Sequence, residues 1–219
     1  MRRPTLRPAH VPVPLLVVAL ASVAIGARAS SHGPYRIVPG PYERKAADPA
    51  AAPQPSRFTI RGLTVEVTYL DPPARASFVR SLAGSETDPF SVAPGRPEAY
   101  TTFRVEFDNR SGEAVTFQPG NVLLITDRRD QQFPIDLTDL YRLALRSGVD
   151  DPQSMMERAA PLIFDSSTTI PSGARVSRLL VFGALPEKWK EFRLHVSFLQ
   201  IGSETHTLSF AFHKWFEKP

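Results

Sequence analysis

Alternation constrains this chain more than any other feature. In Phe103-Arg104-Val105-Glu106-Phe107-Asp108 every second residue is apolar and each residue between carries a charge. Successive side chains of an extended backbone point to opposite faces, so this run predicts a strand with one face in a core and the other in water. The same grammar appears in Leu63, Val65, Val67 and Tyr69, interleaved with Thr64, Glu66 and Thr68, and again in Phe192, Leu194, Val196, Phe198 and in Leu208, Phe210, Phe212. Val115 to Phe117, Val122 to Thr126 and Val176 to Phe182 bring the set to about seven short strands. Turn residues separate them at Asn109-Arg110-Ser111-Gly112, Asp127 to Asp130, Ile170-Pro171-Ser172-Gly173 and Gly202. Many short strands joined by turns predict an all-β fold, an antiparallel sandwich of two sheets packed face to face.

Two stretches interrupt the strands. Asp71-Pro72-Pro73 ends the first strong one and opens a long connection to Ala99, with one helical turn expected at Ala76 to Leu82. Between residues 136 and 160 the period changes. Leu137, Leu140, Tyr141 and Ala144 fall at helical spacing, with Asp136 to cap the start and Gly148 to end it. Asp151-Pro152 then supplies a cap and a first-turn proline before Met155, Met156 and Ala159, and Pro161 stops that second helix. This helical insertion is the candidate partner-binding element through Leu137, Leu140, Tyr141, Met155 and Met156, because methionines and a tyrosine adapt well to another protein. The competing reading, which the management of sheet edges favours, is a lid over an open end or edge of the sandwich.

The N-terminus carries an address. Arg2, Arg3 and Arg7, the apolar stretch Leu15 to Ile25, and Ala27-Arg28-Ala29 before Ser30 form the three parts of a cleavable secretory signal over residues 1–29. A bilayer-spanning helix needs about 20 apolar residues, more than this stretch offers, so cleavage is expected over anchoring and no stable span is expected afterwards. Arg2-Arg3 is followed by Pro4-Thr5 rather than the fuller twin-arginine pattern, which points to general secretion and a periplasmic or extracellular location. Residues 30–57 hold Pro34, Pro39, Pro41, Pro49, Pro53 and Pro55 with little apolar periodicity and are expected to form a disordered linker before a folded domain at 58–219.

Removing the signal removes Arg2, Arg3, Arg7 and Arg28 and no acid, so 26 − 4 = 22 basic residues then face 22 acidic ones. A neutral chain has no general attraction to phosphate backbones or anionic lipid, which argues against a nucleic-acid partner and leaves room only for a local basic patch. The sequence contains no cysteine, hence no disulfide, thiol nucleophile or lipid-bearing cysteine. It also contains no Gly-x-Ser-x-Gly, His-Glu-x-x-His or Gly-x-x-x-x-Gly-Lys, so no enzyme, no catalytic residue and no cofactor is expected. His195 and His213 share the polar parity of the last hairpin and are read as surface residues rather than metal ligands, while His206 has core parity near a strand start. Asp136, Asp139, Asp150 and Asp151 lack the spacing of a calcium loop, and helix capping explains them better.

The run Phe103 to Phe117, then Val122 to Asp127, Ile170-Pro171-Ser172-Gly173 and Leu180-Val181-Phe182, resembles the secreted, immunoglobulin-like domains of the telokin-like DUF4352 type. Those domains share a strand, an asparagine-containing turn, a strand, a later turn with glycine, and an apolar strand ending in phenylalanine. The resemblance covers about residues 99 to 213, departs from the simplest pattern at the insertion, and carries over no catalytic residue. It implies an extracytoplasmic immunoglobulin-like sandwich. The function expected is therefore an exported, non-enzymatic binding or assembly domain that contacts an envelope or extracellular protein. The readings beside it are a metal or small-ligand binder, and an enzyme whose site is assembled from distant loops around Asp71 to Ala99.

Overall fold

The computed structural model describes residues 35–40, 56–84, 87–92, 97–146, 149–186 and 188–216. The expected signal at 1–29 and Gly148, the expected end of the first inserted helix, lie outside the described residues. The chain runs through β1 (Tyr35–Pro39), β2 (Ser56–Ile60), β3 (Leu63–Leu70), α1 (Pro72–Ala83), β4 (Tyr100–Asn109), β5 (Val115–Phe117), a 3-10 turn at Pro119–Asn121, β6 (Val122–Thr126) and β7 (Gln131–Gln132). The helices α2 (Leu137–Arg146) and α3 (Pro152–Ala159) follow, then β8 (Thr168–Ile170), β9 (Arg175–Gly183), β10 (Glu191–Ile201) and β11 (Glu204–Phe216).

Among the described residues the strands form two antiparallel sheets. One is ordered β2-β3-β4-β9; the other, seven-stranded, runs β1-β11-β10-β5-β8, with β6 also pairing β10 and carrying β7. Their inner faces supply the main core, and the alternation of the sequence is the alternation of burial. Phe103, Val105 and Phe107 are fully buried, and Arg104 and Asp108 on the opposite parity are not; Glu106 is the exception, an outward residue buried on its face. Phe103 meets Phe182, Phe192 and Phe212 at 5.8, 5.6 and 5.3 Å between ring centroids, so one side chain ties strands of both sheets together. Fully burying such a ring stabilises by about 1.5–3 kcal/mol before packing terms. The protein is an all-β sandwich with a helical insertion, as the periodicity predicts.

A second core makes a third layer. Val79 of α1, Leu140 and Ala144 of α2 and Met155 and Ala159 of α3 pack with Phe90 on Leu70, Leu179 and Val181, which face outward from the four-stranded sheet. The apolar run in β9 is thereby buried on both sides, Leu180 and Phe182 inward and Leu179 and Val181 outward. The chain segments flanking the insertion close the free edge of β9, where Leu179 N donates to Leu162 O at 2.7 Å, Phe164 N to Leu179 O at 3.0 Å and Ile135 N to Val181 O at 2.7 Å.

Local signals set the helix starts. Asp71 accepts from Ala74 N at 2.9 Å with prolines in the first turn, so Asp71-Pro72-Pro73 not only ends a strand but begins α1, a helix of 12 residues rather than a single turn. Asp136 accepts from Asp139 N at 2.7 Å and Asp151 from Ser154 N at 2.9 Å, the two caps expected.

Two expectations are corrected. Tyr35–Pro39 belongs to no disordered linker: it is β1, paired to β11 from Tyr35↔Phe216 to Pro39↔Phe212. Ile37 enters the core, Pro39 stands at a strand end on a sheet edge, where its missing donor is tolerated, and the Lys214 ammonium lies 4.4 Å from the Tyr35 ring centroid and 4.3 Å from that of Trp189. Phe198 does not continue the inward series of β10. The register against β11 shifts between Val196 and Leu199, so Ser197 and Phe198 together oppose Thr207, and Leu199 takes the core place. Phe198 is left 67% exposed at φ 54.

Candidate functional site

Strand register decides which charges meet on the outer face of the four-stranded sheet. Four rows cross it: Thr59, Thr64, Asp108, Arg175; then Arg57, Glu66, Glu106, Ser177; then Thr68, Arg104, Leu179; then Leu70, Thr102, Val181. The helices pack on the apolar members of the last two rows. The first two stay open and form a groove of about 240 Å³ lined by Arg57, Thr64, Glu66, Glu106, Asp108 and Arg175.

Glu66 and Glu106 stand directly opposite each other on β3 and β4. Like charges in that position repel, and two arginines offset the repulsion from either side. From β2, Arg57 Nη2 donates to Glu66 Oε1. From β9, Arg175 Nε donates to Glu106 Oε1 at 2.8 Å and Nη2 donates to the same oxygen. That hydrogen bond, and next the charge of Glu106, raise the Arg175 guanidinium above its already high ordinary pKa. Asp108 Oδ1 accepts from Arg110 Nε at 3.1 Å. The groove therefore offers fixed, paired charges and no apolar anchor. It holds no nucleophile of the serine or cysteine type and no imidazole among its lining residues.

Thr64, Glu66, Glu106 and Asp108 were visible in the sequence only as the water-facing half of the alternation, where their parity and signs could be read. Arg57 fell in the expected linker and Arg175 just outside the expected strand. The convergence of these residues could not be read, because Arg175 and Glu106 are 69 residues apart.

The insertion residues separate into two groups. Leu140 and Met155 are buried in the second core, whereas Leu137, Tyr141 and Met156 are half-buried. The five do not form one exposed surface. The histidines are not brought together either: His195 lies opposite Ser209 and His213 opposite Glu191. His213 is not a surface residue, because the end of β1 covers its edge and Nδ1 donates to Gly40 O at 2.6 Å. His206 is half-buried, with Nε2 3.6 Å from Glu204 Oε2. Among the described residues no group of three or more His, Asp or Glu side chains is placed to hold a metal ion.

Two further polar clusters are architectural. Arg75 on α1 is 1% exposed and reaches Asp88 (Nε to Oδ2, 2.7 Å), Glu98 (Nη1 to Oε1, 3.2 Å) and the Phe90 carbonyl (3.1 Å), clamping parts of the Asp71 to Ala99 connection beneath the helix. Asn109, fully buried at the end of β4, donates from Nδ2 to Glu113 O at 2.8 Å and Ile170 O at 2.9 Å, while Gly173 N donates to its carbonyl. One side chain thus joins the turn after β4 to the turn before β9. Burial pushes the hydroxyls of Tyr69 and Tyr100 up from the usual phenol range.

No family model matches the chain, the telokin-like type suggested by the sequence included, and no curated protein matches it. A solved structure it resembles is that of the yjhA protein from Bacillus subtilis, 11% identical, with a TM-score of 0.36 over 65% of this chain and 77% of that one. Among the described residues no helix is long and apolar enough to cross a membrane.

Proposed function

We propose that this chain is an exported, non-enzymatic binding domain that works in the cell envelope through protein–protein contacts made at the charged groove. The observation that carries the reading is the groove itself: two arginines and three acids meet on the open part of a face whose remainder the helices cover. Its volume of about 240 Å³ falls below the roughly 300–1,000 Å³ of small-molecule sites, and its charged lining differs from their mostly apolar walls. Side chains from a macromolecular surface fit it better than a free small ligand. The insertion serves this reading as a cover over the outward face of β9, with its flanking segments closing the strand edge, and its burial of Leu140 and Met155 supports that role over docking.

Export rests on the signal read at residues 1–29. Kinship with the telokin-like DUF4352 type is part of the same proposal. It is supported by Asn109, which ties together the two turns that carry the resemblance.

The test is a photo-reactive amino acid introduced singly at Thr64, in the groove, and at Ser209, an exposed position on β11 of the other sheet, in cells that make the protein. Discrete cross-linked species from Thr64 and none from Ser209 are expected. The same adducts from both positions, or from neither, refute the groove as the contact surface.

A further inference from the structure

We infer that the groove receives an acidic segment of the partner, held between Arg57 and Arg175. This rests on the binding-domain reading and adds the partner's chemistry. The groove has a floor and a rim of opposite sign. The Glu66 and Glu106 side chains are 15% and 12% exposed, whereas those of Arg57 and Arg175 are 63% and 67% exposed. An approaching group therefore meets guanidinium first.

The donor count agrees. A guanidinium carries five N–H donors. Arg175 spends its Nε donor and one from Nη2 on Glu106, and Arg57 spends one on Glu66, so most of each fork remains to be used outward. The glutamates act as positioning residues. They hold two long side chains that would otherwise lose rotamer freedom on binding, and a fork already held grips a carboxylate at lower entropic cost.

Position limits the size of the guest. Arg57 and Arg175 leave strands separated by three interstrand steps, about 14 Å at roughly 4.8 Å a step, and both lean inward over the glutamate pair. One or two Asp or Glu side chains of an extended segment span what is left. A basic guest fares worse: it must pass between two arginines to reach carboxylates already hydrogen-bonded beneath them. The lining counts two arginines against three acids, 2 − 3 = −1, so the preference for an acidic guest comes from which charges stand outermost and not from net sign; the third acid, Asp108, is held by Arg110.

The experiment is a fluorescence-anisotropy titration of the purified full chain with a labelled twelve-residue peptide of alternating Glu and Gly, beside a Lys and Gly peptide of the same length. Saturable binding of the acidic peptide, weakened at least tenfold between 20 and 500 mM salt, is expected because exposed ion pairs are screened. Arg57→Ala with Arg175→Ala lowers affinity at least tenfold, while Arg193→Ala, on the exposed face of the other sheet, leaves it unchanged. Thermal melts matching wild type show that the variants remain folded; should the alanine pair melt early, Arg57→Gln with Arg175→Gln reads the same loss.

Equal binding of the two peptides, or indifference to the arginines, overturns the inference. So does full competition by inorganic phosphate at the peptide's own concentration, which would mark a general anion site. Adducts from Thr64 without peptide binding leave the binding domain standing and remove the acidic partner. Peptide binding without adducts removes the cellular reading and leaves the groove's chemistry standing.

Discussion

Replacing Asn109 with alanine tests whether one buried side chain really couples two distant turns. Asn109 is fully buried, and its amide makes bonds in three directions: Nδ2 donates to Glu113 O and Ile170 O, and Oδ1 accepts from Ser111 N at 3.1 Å and Ser111 Oγ at 2.6 Å. The three carry unequal weight. Ser111 and Glu113 sit in an open turn, where water replaces most of what is lost, and Glu113 O also accepts from Ser111 Oγ. Ile170 is fully buried, so its carbonyl loses a donor that water cannot replace, which costs about 1–3 kcal/mol, and the exposed bonds add about 0.5–1 kcal/mol. The expected loss is about 1.5–4 kcal/mol, or a fall in melting temperature of roughly 3–16 °C for a domain of this size. Circular dichroism melts and urea titrations measure it, and amide exchange should speed up around Pro171 to Ala174, where Gly173 N bonds the Asn109 carbonyl. A melt within 2 °C of wild type, or exchange unchanged in that turn, refutes the coupling.

Asp88→Ala leaves the Arg75 guanidinium buried with only partial compensation from Glu98, an expected loss of about 3–5 kcal/mol in urea titration, while Arg75→Met combined with Asp88→Leu lies closer to wild type. Leu140→Ala opens a cavity under α2 and costs about 2–5 kcal/mol by the same assay, and deletion of residues 136–160 unfolds the domain rather than giving a folded core without the insertion. Tyr69 gives a pH signature: its hydroxyl is held neutral by burial, so the unfolded chain ionises first, near the usual phenol value of about 10, and stability present below that pH is lost as pH rises toward the elevated native value. Tyr69→Phe should flatten that alkaline limb of the stability curve, and an unchanged limb assigns it to other groups.

The amino-acid sequence determined what depends on near neighbours. Period-two hydrophobicity is a property of each extended segment, so the strands Leu63–Leu70 and Tyr100–Asn109, their inward and outward faces and the sandwich class were legible residue by residue. Caps such as Asp136 and Asp151 act within three residues and were legible too. What tertiary structure alone decided has one physical cause, pairing between segments far apart in the chain. A bulge against β11 turned Phe198 outward, a partner strand drew Tyr35–Pro39 into a sheet, and an outward face of β9 buried Leu140 and Met155. The groove belongs to the same class: each strand supplied one or two ordinary surface charges, and only the register of β2, β3, β4 and β9 set Arg57, Glu66, Glu106 and Arg175 side by side.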